Sequence, residues 1–330
     1  MWAGASFLLI MVLAVGSFEA LTGAPAPGSA TERVFRVPTG ASATAIGDAL
    51  AQAGLVRSGL AFRLWSEHVG VASIFRAGEY RLSPGWGLFR MVQTLAAGHI
   101  ITYRIAIPEG FTTPEIAARL AAAHVASPGA IRAAMSRGIP GIRPPKGVRN
   151  RMEGFLFPDT YVIPAGTGVR SVLLTMWTDF ENRTAALRPD LHSSRLTMWQ
   201  WVTLASVVQA EDATPADASR VAAVFLNRLR RHMPLQSDAT VRYALGRPVG
   251  ALTVKDLAVP SPYNTYRVNG LPVGPIDSPG LVALSAVLHP AHVPYLYFVS
   301  TSTGGVLFAS TYAQQLKNIA LAAKASTSYR

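Results

Sequence analysis

The chain has 330 residues, of which 50% are hydrophobic, and this is more than one compact core usually holds, so we expect more than one domain. Lys and Arg number 30 against 18 Asp and Glu, and the resulting net charge of +12 favours an anionic environment such as an acidic membrane surface or an acidic polymer. The absence of cysteine excludes disulfides and thiolate metal sites, and without a nucleic-acid-binding motif we expect no nucleic-acid partner.

Residues 1–22 predict a single transmembrane helix. Residues 2–18 are apolar or small and carry no charge, and a run of ~20 such residues matches the thickness of a bilayer core. A retained anchor and a cleaved signal peptide are both compatible with this run. The flanking charges do not support a cytoplasmic N-terminus, because Lys and Arg occur only after the run. Residues 23–32 are rich in Gly, Pro, Ala and Ser, which predicts a linker.

Residues 33–99 predict a small module with the order strand, helix, helix, strand, followed by a third helix. The residues from Arg33 onward alternate in the pattern typical of a strand. Ser42 is placed to cap the first helix, and Gly54 ends that helix. This order is compatible with a small glycan-binding module, and a structural spacer explains it equally well.

Residues 100–330 predict a mixed α+β domain. A strand over 101–107 precedes a helix capped by Thr112 or Thr113, and a basic loop rich in Pro and Gly follows at 138–151. Four later helices and a C-terminal strand pair are predicted by periodicity. The helices are expected over 169–187, 216–231, 281–288 and 312–324, and the strands over 295–300 and 306–309.

Residues 199–211 form an apolar run that ends in a carboxylate. On a helix, Glu211 shares one face with Leu204 and Val208, so this stripe would bring the carboxylate to the edge of a packed interior. A partly buried carboxylic acid keeps its proton to higher pH, as a general acid for glycosidic cleavage requires. A cap or a surface ion pair for the next helix is the alternative.

Aromatic and acidic residues alternate in the segment at 152–161. Glu153, Phe157 and Asp159 could grip a sugar, and a structural turn is the alternative interpretation. Among the seven histidines, only His289 and His292 are close in sequence, and they flank Pro290, so we expect no metal site and no cofactor.

Ordered segments then give a specific resemblance. They are EGFLFPDTY (153–161), ASVVQAE (205–211), VFLNRL (224–229), LQSDATV (235–241), SPYNTY (261–266), GLPVGPI (270–276) and YLYFV (295–299). Together they resemble the YceG-like endolytic murein transglycosylases, which are membrane-anchored enzymes that cut nascent peptidoglycan strands. The resemblance implies a LysM-like module at 33–99 and a catalytic domain at 100–330. It also implies a single-pass inner-membrane protein with its bulk on the periplasmic side, in contact with peptidoglycan, membrane lipid and peptidoglycan synthases.

By the same resemblance, Glu211 matches the catalytic glutamate of the family, and Gln209 stands where a second Glu is often found. The residues that match the glycan-holding cleft are Gln236, Asp238, Tyr263, Asn264, Thr265 and Tyr266. The chain departs from the family pattern at Ala239, Val306, Gln314 and Gln315.

A single acid suits a lyase, because the muramyl C6 hydroxyl of the substrate replaces water as the nucleophile. A hydrolase normally needs a second carboxylate ~5–9 Å away, and Glu153 or Asp159 are the candidates for it. A non-catalytic glycan-binding scaffold for wall synthases is the third hypothesis, and the C-terminal departures favour it.

Overall fold

The computed structural model describes residues 19–138, 140–211, 214–247, 250–301 and 305–327, and most of the predicted membrane anchor therefore lies outside the described residues. Within these ranges, no helix is both long and apolar enough to cross a bilayer. The fold is mixed α+β, and the chain divides into two units. Unit 1 comprises residues 1–104 and 162–167, and unit 2 comprises residues 105–161 and 168–330.

Unit 1 contains the predicted strands and helices of the small module. Strand β1 (Arg33–Val37) pairs antiparallel with β2 (Gly78–Leu82), and the helices are α1 (Ala43–Gln52), α2 (Gly59–His68) and α3 (Leu88–Ala97). Ser42 and Ser58 accept hydrogen bonds from the first turns of α1 and α2, as expected for N-cap residues. Side chains from all five elements form the core of this unit, in which Phe62 and Tyr80 are fully buried.

Strands β3 (Thr102–Ala106) and β4 (Thr160–Pro164) form a two-stranded sheet. After β3, Thr112 and Glu115 form a capping box at the start of α4 (Thr113–Ala122). Helix α5 (Pro128–Ser136) follows, with Ser127 as its N-cap. Strand β4 and helix α5 were not predicted from the sequence.

The remaining elements all belong to unit 2. They are α6 (Val169–Thr184), α7 (Arg188–Ser193), α8 (Met198–Gln209), α9 (Pro215–Arg230), α10 (Asp238–Leu245), α11 (Val254–Leu257), α12 (Leu281–Leu288), β5 (Tyr297–Ser300), β6 (Val306–Ala309) and α13 (Tyr312–Thr327). Strands β5 and β6 pair antiparallel, and α13 packs against both. The side-chain amide of Gln315 donates to the carbonyl of Phe298 at 2.8 Å, which ties α13 to β5.

Helix α8 lies at the centre of unit 2 and packs against α9 and α12. The predicted core-facing residues Leu204, Val207 and Val208 are buried, and so are the other residues from Trp201 to Val208, so this stretch of the helix is enclosed on every side. The indole N–H of Trp201 donates to the Leu284 carbonyl at 2.8 Å, which satisfies its polar group within the core.

Gly154 explains how the segment around Glu153 packs so closely against α8. Its φ of +82° favours glycine, and a Cβ atom there would lie 2.7 Å from Val202 Cγ1 and 2.6 Å from Pro275 Cβ. The backbone of this segment therefore lies directly between α8 and the loop that contains Pro275.

Candidate functional site

Glu211 lies in the turn that follows α8 and not on the helix itself. The helix ends at Gln209, Ala210 is its C-cap, and the Glu211 N–H donates to the Val208 carbonyl at 3.3 Å. The prediction that Glu211 occupies the apolar face of the helix was therefore wrong, although the helix does deliver the residue to the edge of the core. The side chain is half-buried.

Ser237 fixes the Glu211 carboxylate. Its Oγ donates to Glu211 Oε1 at 2.6 Å. Ser237 itself is buried and forms the N-cap position of α10. Since its rotation is restricted by burial, it can hold one carboxylate oxygen in a fixed direction.

Asp238 and Tyr266 lie close to the same carboxylate. The Tyr266 hydroxyl donates to Asp238 Oδ1 at 2.7 Å. Burial, this hydrogen bond and the negative charges of Asp238 and Glu211 together raise the pKa of Tyr266. Tyr266 therefore remains a neutral hydroxyl donor beside two acidic groups.

Behind this group lies a buried arginine, Arg228 on α9. Its guanidinium donates to the carbonyls of Leu296 at 2.7 Å and Leu235 at 2.9 Å, and to Gln236 Oε1 at 3.3 Å. Burial lowers the pKa of Arg228, and the negative field of Glu211 acts in the opposite direction. The cation thus stabilises the segment that carries Gln236 and Ser237 and contributes positive potential to the Glu211 site.

The segment at 261–266 forms the support for this arrangement. The Asn264 side-chain amide donates to the carbonyls of Leu257 and Val259, each at 2.9 Å. Thr265 Oγ1 accepts from the Ser237 N–H at 3.0 Å and lies 2.9 Å from the hydroxyl of Thr240. Asn264 and Thr265 are completely buried, so their polar groups position the residues around Glu211 and do not reach the surface.

Glu153 lies in a second, enclosed cluster. Its carboxylate accepts from the Thr113 N–H at 2.7 Å, the Tyr243 hydroxyl at 2.8 Å and the Asn150 amide at 3.1 Å. The residue is only 1% exposed. Burial raises its pKa above the ordinary value of 4.5, while the donors from Thr113, Tyr243 and Asn150 act to lower it.

Tyr263 joins this second cluster to the segment at 261–266. Its hydroxyl accepts from the Arg149 N–H at 3.0 Å, and its ring centroid lies 4.8 Å from that of Tyr243. Three predicted site residues, Glu153, Tyr263 and Asn264, therefore belong to one continuous buried framework.

Phe157 and Asp159 belong to a different group. Asp159 forms an ion pair with Arg183 on α6, and the Arg183 guanidinium lies 5.8 Å from the centroid of the Phe157 ring. Tyr161 completes this group, since its hydroxyl donates to the Phe157 carbonyl at 2.6 Å. The contacts of Phe157 and Asp159 are thus with α6 and β4, whereas those of Glu211 are with α10.

A cavity of about 470 Å³ opens beside the turn that contains Glu211. Its wall includes Gln209 and Ala210, which directly precede Glu211, and Ala239, which follows the Ser237–Asp238 pair. Three acidic residues, Glu109, Glu115 and Asp277, and three arginines, Arg149, Arg242 and Arg247, also line it. This volume falls in the range typical of sites for small ligands.

The chain is closely packed where the cavity meets α12. Gln209 Oε1 accepts from the Gly280 N–H at 3.0 Å, and a Cβ atom at position 280 would lie 1.9 Å from Glu109 Oε1. Any side chain at position 280 would displace Glu109 from the cavity wall. In the described part of the chain, no group of three or more His, Asp or Glu side chains is arranged to hold a metal ion.

Comparison with known proteins identifies the family. Residues 35–321 match the model of the YceG-like family. The chain belongs to this family. A curated relative, the endolytic murein transglycosylase of Bacillus subtilis (strain 168), is 31% identical over 298 residues, which is 86% of this chain and 82% of the relative.

Two further matches agree with this membership in the YceG-like family. The endolytic murein transglycosylase of Streptococcus pneumoniae (strain D39) is 30% identical over 315 residues, and this chain spans 57% of its length. A crystal structure of a yceG-like protein from Listeria monocytogenes aligns with a TM-score of 0.61 at 30% identity, covering 88% of this chain and 99% of that one.

Sequence reasoning missed four side chains that organise the site of this YceG-like protein, namely Ser237, Arg228, Tyr243 and Asn150. A signal for Arg228 was present, because Asn227 and Arg228 interrupt the apolar stripe of α9. Burying a polar or charged side chain costs free energy unless it forms hydrogen bonds, so both residues are expected to have hydrogen-bond partners. Asn227 indeed donates to the carbonyls of Val293 and Tyr295. No comparable signal marks Ser237 or Tyr243, whose partners are distant in sequence.

Proposed function

We propose that this chain is an endolytic murein transglycosylase. It cleaves the glycosidic bond between N-acetylmuramic acid and N-acetylglucosamine in peptidoglycan strands and leaves a 1,6-anhydro-muramic end. The shared name of the Bacillus and Streptococcus relatives supports this reaction. The observation that carries it is the half-buried Glu211, held by Ser237 at 2.6 Å in the turn directly after Gln209 and Ala210, which line a cavity of about 470 Å³.

In the proposed reaction, Glu211 acts first as an acid and then as a base. The protonated carboxyl donates its proton to the glycosidic oxygen as the bond to the muramyl C1 breaks. The resulting carboxylate accepts the proton of the muramyl C6 hydroxyl, whose oxygen forms the new bond to C1. No water is consumed and Glu211 ends in its starting state. Ser237 orients the carboxyl throughout both steps.

The surroundings of Glu153 and Asp159 argue against a hydrolase that uses either of them as the partner of Glu211. Glu153 is enclosed by protein donors, and Asp159 is paired with Arg183. Neither is therefore available to activate a water opposite Glu211, as a second catalytic carboxylate would have to do.

The predicted cleft residues divide into two roles under this proposal. Gln236, Asp238 and Tyr266 surround the catalytic carboxyl and hold the glycan. Four buried residues position the walls of the site, namely Glu153, Tyr263, Asn264 and Thr265. Phe157 and Asp159 help to position the part of unit 2 next to α6.

We also infer the setting of the enzyme. The apolar run at 2–18 anchors it in the inner membrane, where lipid surrounds it, and the catalytic bulk lies on the periplasmic side, where peptidoglycan synthases produce its substrate. The module at 33–99 is a LysM-like glycan-binding domain. The net charge of +12 suits a substrate rich in carboxylates and a membrane rich in anionic lipid.

The test is mass spectrometry of products released from purified peptidoglycan strands. We expect wild type to release anhydro-ended fragments and Glu211→Gln to release none, at an unchanged melting temperature. Glu181→Gln, on the outer side of α6, is the matched control, and we expect it to retain wild-type activity because an exposed ion pair contributes little. Fragments with only reducing ends would identify a hydrolase, and activity in Glu211→Gln would remove the assignment altogether.

A further inference from the structure

A second cavity of about 670 Å³ lies in unit 2, between α4, α5 and the segment at 149–152. It has three residues in common with the wall of the first cavity, namely Pro114, Arg149 and Asn150. The two cavities are therefore neighbours along one surface of unit 2. A ligand that occupies the first cavity can continue into the second.

The lining of the second cavity is basic and contains no carboxylate. Arg132, Arg149 and Arg151 contribute to it, and the guanidinium of Arg149 donates to the carbonyls of Tyr243 and Ala244. Arg132 and Arg151 are exposed. The first cavity differs, since it mixes three acidic residues with its three arginines.

The charge of the surrounding segment has the same sign. No Asp or Glu occurs between Glu115 and Glu153, whereas that interval contains seven basic residues, Arg119, Arg132, Arg137, Arg143, Lys146, Arg149 and Arg151. A cavity within such a segment attracts anions and repels cations.

The floor of the second cavity suits small apolar groups. Ala117, Ala118 and Ala121 present methyl groups from α4, and Met135 and Met152 complete the apolar surface. The alanine side chains leave room for a chain that lies along the helix, and methionine adapts its shape to an irregular partner. The occupant therefore combines small aliphatic groups with carboxylates.

We propose that this second cavity binds the peptide stem of the same strand whose glycan occupies the first cavity. The inference rests on the proposed function. Each muramic residue carries a short peptide on its lactyl group, and this peptide is rich in alanine methyl groups and in free carboxylates. Arg132 and Arg151 pair with the carboxylates, while the alanine floor of α4 contacts the methyl groups. The site thus selects strands that still carry peptide.

The first experiment measures binding of the free stem peptide, released from strands by an amidase, to the full chain by calorimetry. We expect saturable binding that weakens by about fivefold or more in the double variant Arg132→Gln/Arg151→Gln, as for the loss of two partly exposed charge-assisted contacts. Arg137→Gln at the end of α5 is the control, because it removes one positive charge outside the cavity lining, and its affinity should stay within about twofold of wild type.

Three results of this binding experiment would overturn the proposal. In the first, the double variant binds the peptide as well as wild type. In the second, Arg137→Gln weakens binding as much as the double variant, which would mean that charge alone is responsible. If inorganic polyphosphate displaces the peptide as well as a carboxylate-bearing peptide does, the surface is a general anion site and the proposal is likewise wrong.

The second experiment compares cleavage of peptide-bearing strands with cleavage of strands stripped of peptide by the amidase. Wild type should prefer peptide-bearing strands in kcat/KM, and the double variant should lose that preference while cutting stripped strands at the wild-type rate. Equal preference in both proteins would contradict the peptide site. If neither substrate is cut by wild type, the proposed function fails, and the binding experiment still decides whether the cavity recognises the stem.

Discussion

Ser237 provides the most direct test of the catalytic geometry at the scale of single residues. Because its hydroxyl donates to Glu211 Oε1 at 2.6 Å, Ser237→Ala leaves the catalytic carboxyl with more rotational freedom. We expect kcat/KM for strand cleavage to fall by about tenfold, which corresponds to the loss of one hydrogen bond to a charged group. Steady-state kinetics on purified strands measures this.

The control for Ser237 is Ser193→Ala, which removes an exposed hydroxyl that bonds to its own helix. It should leave both kcat/KM and the melting temperature unchanged. If Ser237→Ala keeps wild-type kinetics, the turn backbone alone orients Glu211. If it loses stability and activity together, the role of Ser237 is structural.

Glu153 gives a prediction about pH. Burial raises its pKa in the folded state, so the folded protein binds a proton more readily than the unfolded chain, and the unfolding free energy decreases as the pH rises from about 4.5 through the raised pKa. Glu153→Gln cannot titrate and removes this contribution. Denaturant unfolding of both proteins at several pH values between 4 and 8 should show the stability of wild type, relative to the variant, decreasing with pH. Parallel stability curves would mean that Glu153 titrates in the folded protein as it does when unfolded.

The link between α8 and the loop at 270–276 is the element-scale feature that shapes the first cavity. Trp199 Nε1 donates to the Val273 carbonyl at 3.1 Å, and the Ile276 N–H donates to Ser206 Oγ at 3.0 Å. Ile276 lines the cavity. The loop therefore takes its position from the same helix that ends at the catalytic turn.

Ser206→Ala tests this link. The buried Ile276 N–H would lose its acceptor, which should cost about 1–3 kcal/mol of unfolding free energy. Hydrogen exchange at Ile276 should accelerate more than exchange within α9. Ser171→Ala, at an exposed position of α6, should change stability by less than about 0.5 kcal/mol. Unchanged exchange at Ile276 would show that other contacts hold the loop.

The elements that could be predicted from sequence are those whose signals are local. Helix α3 forms where a third helix was predicted, because Gly87 and Gly98 bound an amphipathic run, and Ser42 caps α1 as expected. Strand β4 was missed because its residues also suit a turn and its pairing with β3 is long-range. The full enclosure of α8 could not be predicted from its core-facing stripe, because the buried Thr203 and Ser206 on its other faces are polar.

The candidate site divides in the same way. Glu211 could be singled out because it ends an apolar run and matches a family motif. The interactions of Glu211 could not be predicted, because Ser237 and Arg228 belong to separate segments of the chain. Glu153 looked like a substrate ligand because acidic and aromatic residues alternate around it, and only the fold reveals that the Thr113 N–H and Tyr243 enclose it.

At the scale of the whole molecule, every proposed catalytic and glycan-holding residue belongs to unit 2, and the excess of 12 positive charges extends over the chain. Long-range attraction to a carboxylate-rich polymer depends on ionic strength, because the Debye length shortens from ~30 Å at 0.01 M salt to ~8 Å at 0.15 M. We therefore expect the affinity for peptide-bearing sacculi, measured by co-sedimentation of the inactive Glu211→Gln protein, to fall several-fold across this range. Sacculi stripped of peptide should show a much smaller change, because their carboxylates are gone. Salt-independent binding to both would mean that hydrogen bonds and apolar contacts bring the protein to its substrate, and that the positive charge serves the membrane surface instead.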